Sequence, residues 1–421
     1  MRLSHAISLA ASFVAISLSL QSPPAPAPEE VAQPRTNPNV VVILTDDQDY
    51  ESMPVMRRLL SYPGGSWVNF TNAFAADSVC APSRATLLTG QYSGSHGVTA
   101  NELGVRFDSR ETLATWFDDA GYHTGLIGKY HLDYGWRTAP PGWDVWQTKQ
   151  IPNDIDAHTG MAVDFIRNSN SPFFLWLAYR SPHTKANPPA RYRDADVFMP
   201  PVRGNVNEAD VSDKPGFIRN RKLIRPYVLE KWREEQRRAS REVLAIDDGV
   251  AAVINELIAT GQLNNTLVIF MGDNGMSWGS HRKIGKWCPY EECSRIPLLI
   301  RYPTAPGNRT ETRFVSNIDI TATITDYAGI TPRLPQEGRS LIPLLRNNAS
   351  GWRNSVLLER HINDDYYGIR VPGWKYIEYR SGFKELYDLT ADPFEMENLA
   401  TNPAYQARRE QLATELHALL N

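Results

Sequence analysis

Five apolar runs of four to seven residues constrain this chain most: Val40 to Leu44, Tyr122 to Ile127, Phe173 to Tyr179, Leu267 to Met271 and Pro297 to Arg301. They read as strands, and segments of helical period separate them. The longest such segment runs from about Tyr227 to Thr260. In it Val243, Ile246, Val250, Val253, Ile254 and Leu257 recur at steps of three and four, and Gly261 stands where a helix ends. This alternation predicts an α/β fold with a large, mostly parallel sheet sandwiched by helices. After Pro343 the texture changes to short aromatic-rich runs, Ser355 to Leu358, Tyr366 to Arg370, Trp374 to Tyr379 and Glu385 to Leu389. These predict a small C-terminal antiparallel subdomain over 346–421, closed by a helix from about Pro403 to Leu420, after a main domain over 39–345.

Composition narrows the class further. With 421 residues, 42% hydrophobic and 22% charged, the chain suits a globular protein with a sizeable core. A net charge of -3, from 44 basic and 47 acidic residues, gives no general reason to expect nucleic acid or an anionic membrane as partner. Residues 1–21 have the layout of a secretory signal peptide, Arg2 followed by an apolar, small-residue run that is too short to span a bilayer. A Pro/Ala-rich spacer over 22–38 comes next, and the chain is expected to be secreted or otherwise exported, without a membrane span. Three cysteines cannot form a disulfide scaffold. In an oxidising compartment Cys288 and Cys293 could close a small loop, which leaves Cys80 as the odd thiol. Four glycosylation sequons begin at Asn69, Asn264, Asn308 and Asn348, although such triplets are also common by chance.

In open parallel sheets, ligands bind beyond the carboxyl ends of the strands. Here Val40 to Leu44 leads to Asp46 and Asp47, and Leu267 to Met271 leads to Asp273 and Asn274. The run ending at Ile127 leads to Lys129 and His131, and Phe173 to Tyr179 leads to His183. Each has a plain reading: Asp46 and Asp47 as helix caps, Asp273-Asn274-Gly275 as a turn, the histidines as structural. Together they weigh differently. Three carboxylates brought to one edge repel unless a cation neutralises them, and an all-oxygen ligand set favours Ca²⁺ or Mg²⁺. Between these strands, Cys80-Ala81-Pro82-Ser83-Arg84 opens a short helix, placing Cys80 at its N-terminus with Arg84 one turn on. An anionic substrate would suit that end, whereas an isolated cysteine is more often buried and inert.

Cys80-x-Pro82-Ser83-Arg84 followed by Leu88-Thr89-Gly90 matches the sulfatase signature, and from Asn39 onward the chain resembles a type I sulfatase of the alkaline phosphatase superfamily. Asp46-Asp47-Gln48-Asp49 and Lys286 ahead of Tyr290-Glu291 are similar to the glucosamine-6-sulfatase branch, and His131 to the arylsulfatase-like members. The resemblance implies that a sulfatase-maturing partner, such as the formylglycine-generating enzyme, converts Cys80 to formylglycine. It also implies that Asp46, Asp47, Asp273, Asn274 and the converted residue 80 hold one Ca²⁺. Arg84, Lys129 and Lys286 would neutralise the sulfuryl oxygens, His183 would protonate the departing alcohol, and His131 would take the proton that lets sulfate leave. The implied substrate is a sulfate monoester of a small molecule or glycan, such as N-acetylglucosamine-6-sulfate or an aryl sulfate.

Two other readings stand beside this one: a phosphonate monoester or phosphodiester hydrolase of the same superfamily, and a secreted binding protein with unconverted Cys80. The basic stretch from Arg219 to Arg241 could attract a polyanionic glycan, but interleaved glutamates favour a solvated helix face. Trp143, Trp146 and Tyr366 could stack on a sugar, although packing is the commoner use of large aromatics.

Overall fold

Every residue of Asn39–Thr45 (β1) is buried, and strands running in the same direction flank it on both sides, so neither face nor edge meets water. This is the physical reason the run carries no alternation of polar and apolar residues. Val40, Val42 and Leu44 pack into one helical layer and Val41 and Ile43 into the other, as the two-residue period of a strand requires. The computed structural model describes residues 37–61, 67–132, 138–148, 155–169, 172–305, 307–362 and 365–420. The proposed signal peptide and nearly all of the spacer lie outside them. Among the described residues, no helix is long and apolar enough to cross a membrane.

Seven further strands complete the main sheet: β2 (Trp67–Phe70), β3 (His123–Gly128), β4 (Val145–Gln147), β5 (Phe173–Ala178), β6 (Thr266–Gly272), β7 (Leu298–Arg301) and β8 (Arg309–Glu311). Their order is β8-β2-β7-β6-β1-β5-β3-β4. The sheet is mostly parallel. Only β7 is reversed, pairing antiparallel with both β6 and β2. The reversal matters because β6 and β7 then need no crossover helix, and the whole connection from Asp273 to Pro297 stays at the carboxyl edge of the sheet. Helices α1 (Cys80–Thr89), α2 (Leu113–Asp119) and α5 (Asp319–Ala328) cover one face, and α3 (Ile155–Asn168) and α4 (Pro226–Ala259) cover the other. Pro226 sits in the first turn of α4, where a missing N–H costs nothing, and Gly261 beyond its end takes φ 69°.

Four antiparallel strands, β9 (Val356–Arg360), β10 (Tyr366–Val371), β11 (Trp374–Tyr379) and β12 (Lys384–Asp388), form the C-terminal sheet in sequential order. One face holds α6 (Gln406–Leu420) through Leu412 and Leu416. The other buries Val356, Leu358 and Tyr387 against Phe74, Tyr290 and the Cys288–Cys293 disulfide. The described residues from 37 to 420 make one compact unit. The three aromatics weighed as sugar platforms serve packing: Trp143 stacks on Phe174, Trp146 sits edge-on to Tyr130, and Tyr366 is buried against Tyr379. The arginines of α4 are tied down too, Arg237 and Arg241 to Glu234 and Arg238 to Glu235.

Candidate active site and metal centre

Cys80 is the first residue of α1, and Val79 before it is extended, so the thiol projects from the helix N-terminus into the space beyond β1 and β6. All ten residues of α1 are buried. The Cys80 Sγ lies 3.1 Å from Asp46 Oδ1, 3.6 Å from Asp47 Oδ1 and 2.6 Å from Lys286 Nζ. Ligand atoms of Asp46, Asp47, Cys80 and Asp273 all fall within 4.8 Å of one another. Asp46 and Asp47 cap no helix: the next helical turn begins at Tyr50, behind Asp49, and both carboxylates turn toward the cysteine. Asp47 adopts φ 61°, a conformation Asp tolerates better than most residues.

Three cations interlock with the three carboxylates. Lys129 Nζ donates to Asp46 Oδ2 at 2.5 Å, Lys286 Nζ donates to Asp47 Oδ1, and Arg84 grips Asp273 Oδ2 through Nε and Nη2 at 3.0 and 2.9 Å. A third Arg84 nitrogen donates to the Lys129 carbonyl at 2.6 Å, which fixes the guanidinium and the lysine together. Burial alone would raise the Asp46 carboxyl, but Lys129, Arg84 and Lys286 hold it well below the usual range. At Asp273 burial prevails over Arg84 and the carboxyl is raised. Burial works against the Lys286 charge, yet Asp47 and the groups around it keep the ammonium well above its ordinary value. Burial, and next the Asp46 carboxylate, push the Cys80 thiol well up. Both effects disfavour a thiolate at an unconverted Cys80.

The donor set fits a hard divalent cation. Asn274 Nδ2 donates to Asp47 Oδ1 at 2.7 Å, while the buried Asn274 Oδ1 has no hydrogen-bond partner and is free to face a cation beside the three carboxylates. The histidines take outer positions. His183 Nε2 is 3.4 Å from Asp47 Oδ2, and its side chain is 42% exposed, so it stands at the open side of the cradle. His131 keeps an exposed edge. Crowding by protein, and next the Lys129 and Arg84 cations, push its imidazole down to about 3, so it is neutral.

Three contributors escaped the reading of strand ends. Asn317 donates to Ser83 Oγ at 3.0 Å, and Ser83 Oγ donates to the Asp273 carbonyl at 2.6 Å, tying α1 to the β6 loop. Asn101 Oδ1 accepts the Ala81 N–H at 3.0 Å. Ser78 Oγ donates to the Cys288 carbonyl at 3.0 Å, which stitches the Lys286 loop to the start of α1. The Cys288–Cys293 disulfide closes that same loop, with Cα atoms 5.7 Å apart. No sequence pattern marks Asn317, Asn101 or Ser78, whose partners are set by tertiary contact alone.

A buried nest of fixed cations around one potential nucleophile is built to receive an oxyanion, and the class this defines is a hydrolase of anionic esters. The chain belongs to the sulfatase family: the family model described as Sulfatase matches residues 38–330, and that described as N-sulphoglucosamine sulphohydrolase, C-terminal, matches 279–421. It is a sulfuric ester hydrolase. It is similar to an N-acetylglucosamine-6-O-sulfatase of Bacteroides thetaiotaomicron, 26% identical over 94% of this chain and 88% of the relative. The N-acetylglucosamine-6-sulfatase of Homo sapiens is 28% identical over 88% of this chain and 82% of its own. Among solved structures, one described as a complex with its substrate D-glucosamine-2-N,6-O-disulfate has the same fold. It superposes with a TM-score of 0.77 at 24% identity, covering 91% of this chain and 97% of that one.

Proposed function

We propose that the chain cleaves a sulfate monoester on a sugar, with N-acetylglucosamine-6-sulfate the first substrate to test, using formylglycine at residue 80 and one Ca²⁺. The observation that carries this is the placement of Cys80 Sγ against Asp46, Asp47 and Lys286 in one buried cluster. The names of the sugar-sulfatase relatives support the substrate class. Asp46, Asp47, Asp273, Asn274 and residue 80 would hold the Ca²⁺. When bound, it supplies positive charge for the sulfuryl oxygens, and formylglycine supplies a hydrated aldehyde with one hydroxyl to attack sulfur and a second to release sulfate.

The charge count supports this reading. Three carboxylates and three cations cancel, so a divalent ion leaves the cluster at +2, matching one sulfate ester and one ionised nucleophile. The chain's own groups then divide the work. Arg84, Lys129 and Lys286 hold and neutralise the sulfuryl group. His183, at the open side, delivers a proton to the departing alcohol oxygen, and neutral His131 is in the right protonation state to accept one. Export of the mature chain, behind a leader over 1–21, with a catalytic domain over 39–345 and a C-terminal subdomain over 346–421, completes the proposal.

Two measurements test it. Mass spectrometry of the Cys80 peptide, from a host that converts sulfatases, is expected to show formylglycine. A panel of N-acetylglucosamine-6-sulfate, other sulfated monosaccharides, aryl sulfates and phosphodiesters is expected to show the sugar sulfate turned over best. An unmodified thiol together with no turnover of any sulfate would overturn the reading, and preferred turnover of phosphodiesters would replace it.

A further inference from the structure

Arg360 ends β9 as a cation without a counter-charge. It is 6% exposed, and its one hydrogen bond runs from Nε to the Ile362 carbonyl at 3.0 Å. Among the described residues it makes no ion pair, and its two terminal nitrogens have no hydrogen-bond partner yet keep contact with solvent. Arginines buried as deeply elsewhere are matched: Arg84 by Asp273, Arg370 by Glu291, and Arg301 by the oxygens of Leu263 and Asn264. Asp77 acts on Arg360 at longer range, but burial, and next the Glu359 carboxylate, push its carboxyl well up, which disfavours its charged form. The Glu359 oxygens are taken by the Ser93 N–H and by His361 Nε2. A buried cation without a partner is costly, so an unpaired guanidinium fork that still reaches solvent points to an anion the chain does not supply.

The fork stands beside the Cys80 cluster. Arg360 Cζ is 5.7 Å from the ring of Trp287, and Lys283 Nζ is 5.8 Å from the same ring. Trp287 follows Lys286, whose Nζ touches Cys80 Sγ, and the Trp287 N–H donates to the carbonyl of Ser78, two residues before Cys80. The Glu359 N–H donates to the Ala76 carbonyl at 2.8 Å, so the end of β9 runs along the segment that leads into α1. Three residues of chain separate Asp77 from Cys80, a span of at most about 11 Å. The Trp287 indole is 44% exposed and its backbone takes φ 73°, a conformation rare for a bulky residue and typical of sites held in place for function. A guanidinium fork suits the paired oxygens of a sulfate or carboxylate. We infer that Arg360, with the Trp287 indole as a wall, binds a second acidic group of the substrate, a sulfate or carboxylate on the same sugar or the next one, while the ester to be cleaved lies at residue 80.

This inference rests on the sulfate-ester reading of residue 80, and the test separates the two. Turnover is compared for N-acetylglucosamine-6-sulfate, for the same sugar carrying a second sulfate, and for the same sugar linked to glucuronic acid. One of the two doubly acidic substrates is expected to exceed the first by at least about tenfold in kcat/KM, and which one does so identifies the acidic group. Arg360→Gln is expected to bring that ratio to about one. The ratio is read within one sample, so a merely structural loss, which lowers all rates together, leaves it unchanged. Arg360→Lys, a milder change that keeps the charge and loses the fork, is expected to lower the ratio by at least about threefold, and it serves where Arg360→Gln does not fold. No preference in the parent, or a ratio unchanged in the variants, overturns the inference. Absence of turnover with every sulfate overturns the hydrolase reading instead, and the subsite is then read by calorimetry. The unsulfated disaccharide of N-acetylglucosamine and glucuronic acid is expected to saturate the parent and not the Arg360 variant; equal behaviour of the two overturns the subsite as well.

Discussion

Two buried charge clusters share the Asp273–Pro297 connection, through Lys286 and through Tyr290 and Glu291, and they are finished to different degrees. In one, Glu385 on β12 is fully buried and accepts the hydroxyls of Tyr290, Tyr379 and Tyr387 at 2.9, 2.6 and 2.5 Å. Beside it, fully buried Lys375 is held by Glu291 and Glu395 at 2.9 and 2.7 Å and donates to the Pro289 carbonyl. The Cys80 cluster, the proposed catalytic one, holds three carboxylates and three cations, but it leaves Asn274 Oδ1 without a partner and opens toward solvent at His183. That contrast separates a structural charge network from the one proposed to work on a ligand. The first satisfies itself with its own donors, and the second keeps an acceptor and an opening for something that is not part of the chain.

Cys80 is where the distinction can be tested hardest. Cys80→Ser removes the thiol the proposed conversion needs while keeping size and helix position. A loss of at least about 10³-fold in kcat on the best sulfate is expected, with Tm nearly unchanged. A comparable loss from a distant structural change, or retained turnover, would erase the distinction between the clusters. Metal removal comes next. Dialysis against a chelator is expected to cut kcat/KM by at least about 100-fold and to lower Tm, because an ion that binds only the folded state stabilises it. Added Ca²⁺ is expected to restore both. Asn274→Ala is expected to raise the Ca²⁺ concentration needed for that recovery.

The C-terminal cluster should respond in the opposite sense. Glu385→Leu strands three buried tyrosine hydroxyls with no acceptor, which is expected to cost on the order of 5 kcal/mol by denaturant unfolding. Turnover per folded molecule should be unchanged, and so should the Ca²⁺ response. A fall in kcat at constant folded fraction would show that the two clusters are coupled through the Lys286–Tyr290 segment, which supplies a side chain to each.

The Cys80 cluster was more legible in the sequence than the one around Glu385, and the reason is geometric. Strand ends converge on one edge of a parallel sheet whatever the loops do, so Asp46, Asp47, Lys129, His183, Asp273 and Asn274 could be gathered from the residues just beyond each apolar run. Cys80 and Arg84 came from a local motif. Lys286 came only through family resemblance, since it lies in a long connection whose path depends on β7 running backwards. Glu385 gathers Tyr290 from 95 residues away, and no period or motif connects them. Short edge strands were equally hidden: Val145–Gln147 and Arg309–Glu311 have three residues each, too few to show a period, and the second begins and ends with a charge.

One further buried carboxylate belongs to neither group. Glu242 on α4 accepts the Asn187 N–H at 2.7 Å, but it has neither three donors, as Glu385 has, nor an ion pair, as Asp46 has. Burial pushes its carboxyl up from 4.5 to about 7, partly opposed by the Asn187 N–H. The native state therefore binds more protons than the unfolded chain between these values. Stability from this group is fully present below pH 4.5 and is lost as pH rises through about 7. Glu242→Gln keeps an acceptor for Asn187 and cannot ionise. It is expected to flatten the fall in stability over that window and to be more stable than the parent at pH 8 by about 2–3 kcal/mol. Denaturant unfolding at pH 5 and pH 8 reads the difference. An equal offset at both pH values would mean that packing, rather than ionisation, sets the behaviour of this carboxyl, and burial alone would no longer separate it from the self-satisfied cluster around Glu385.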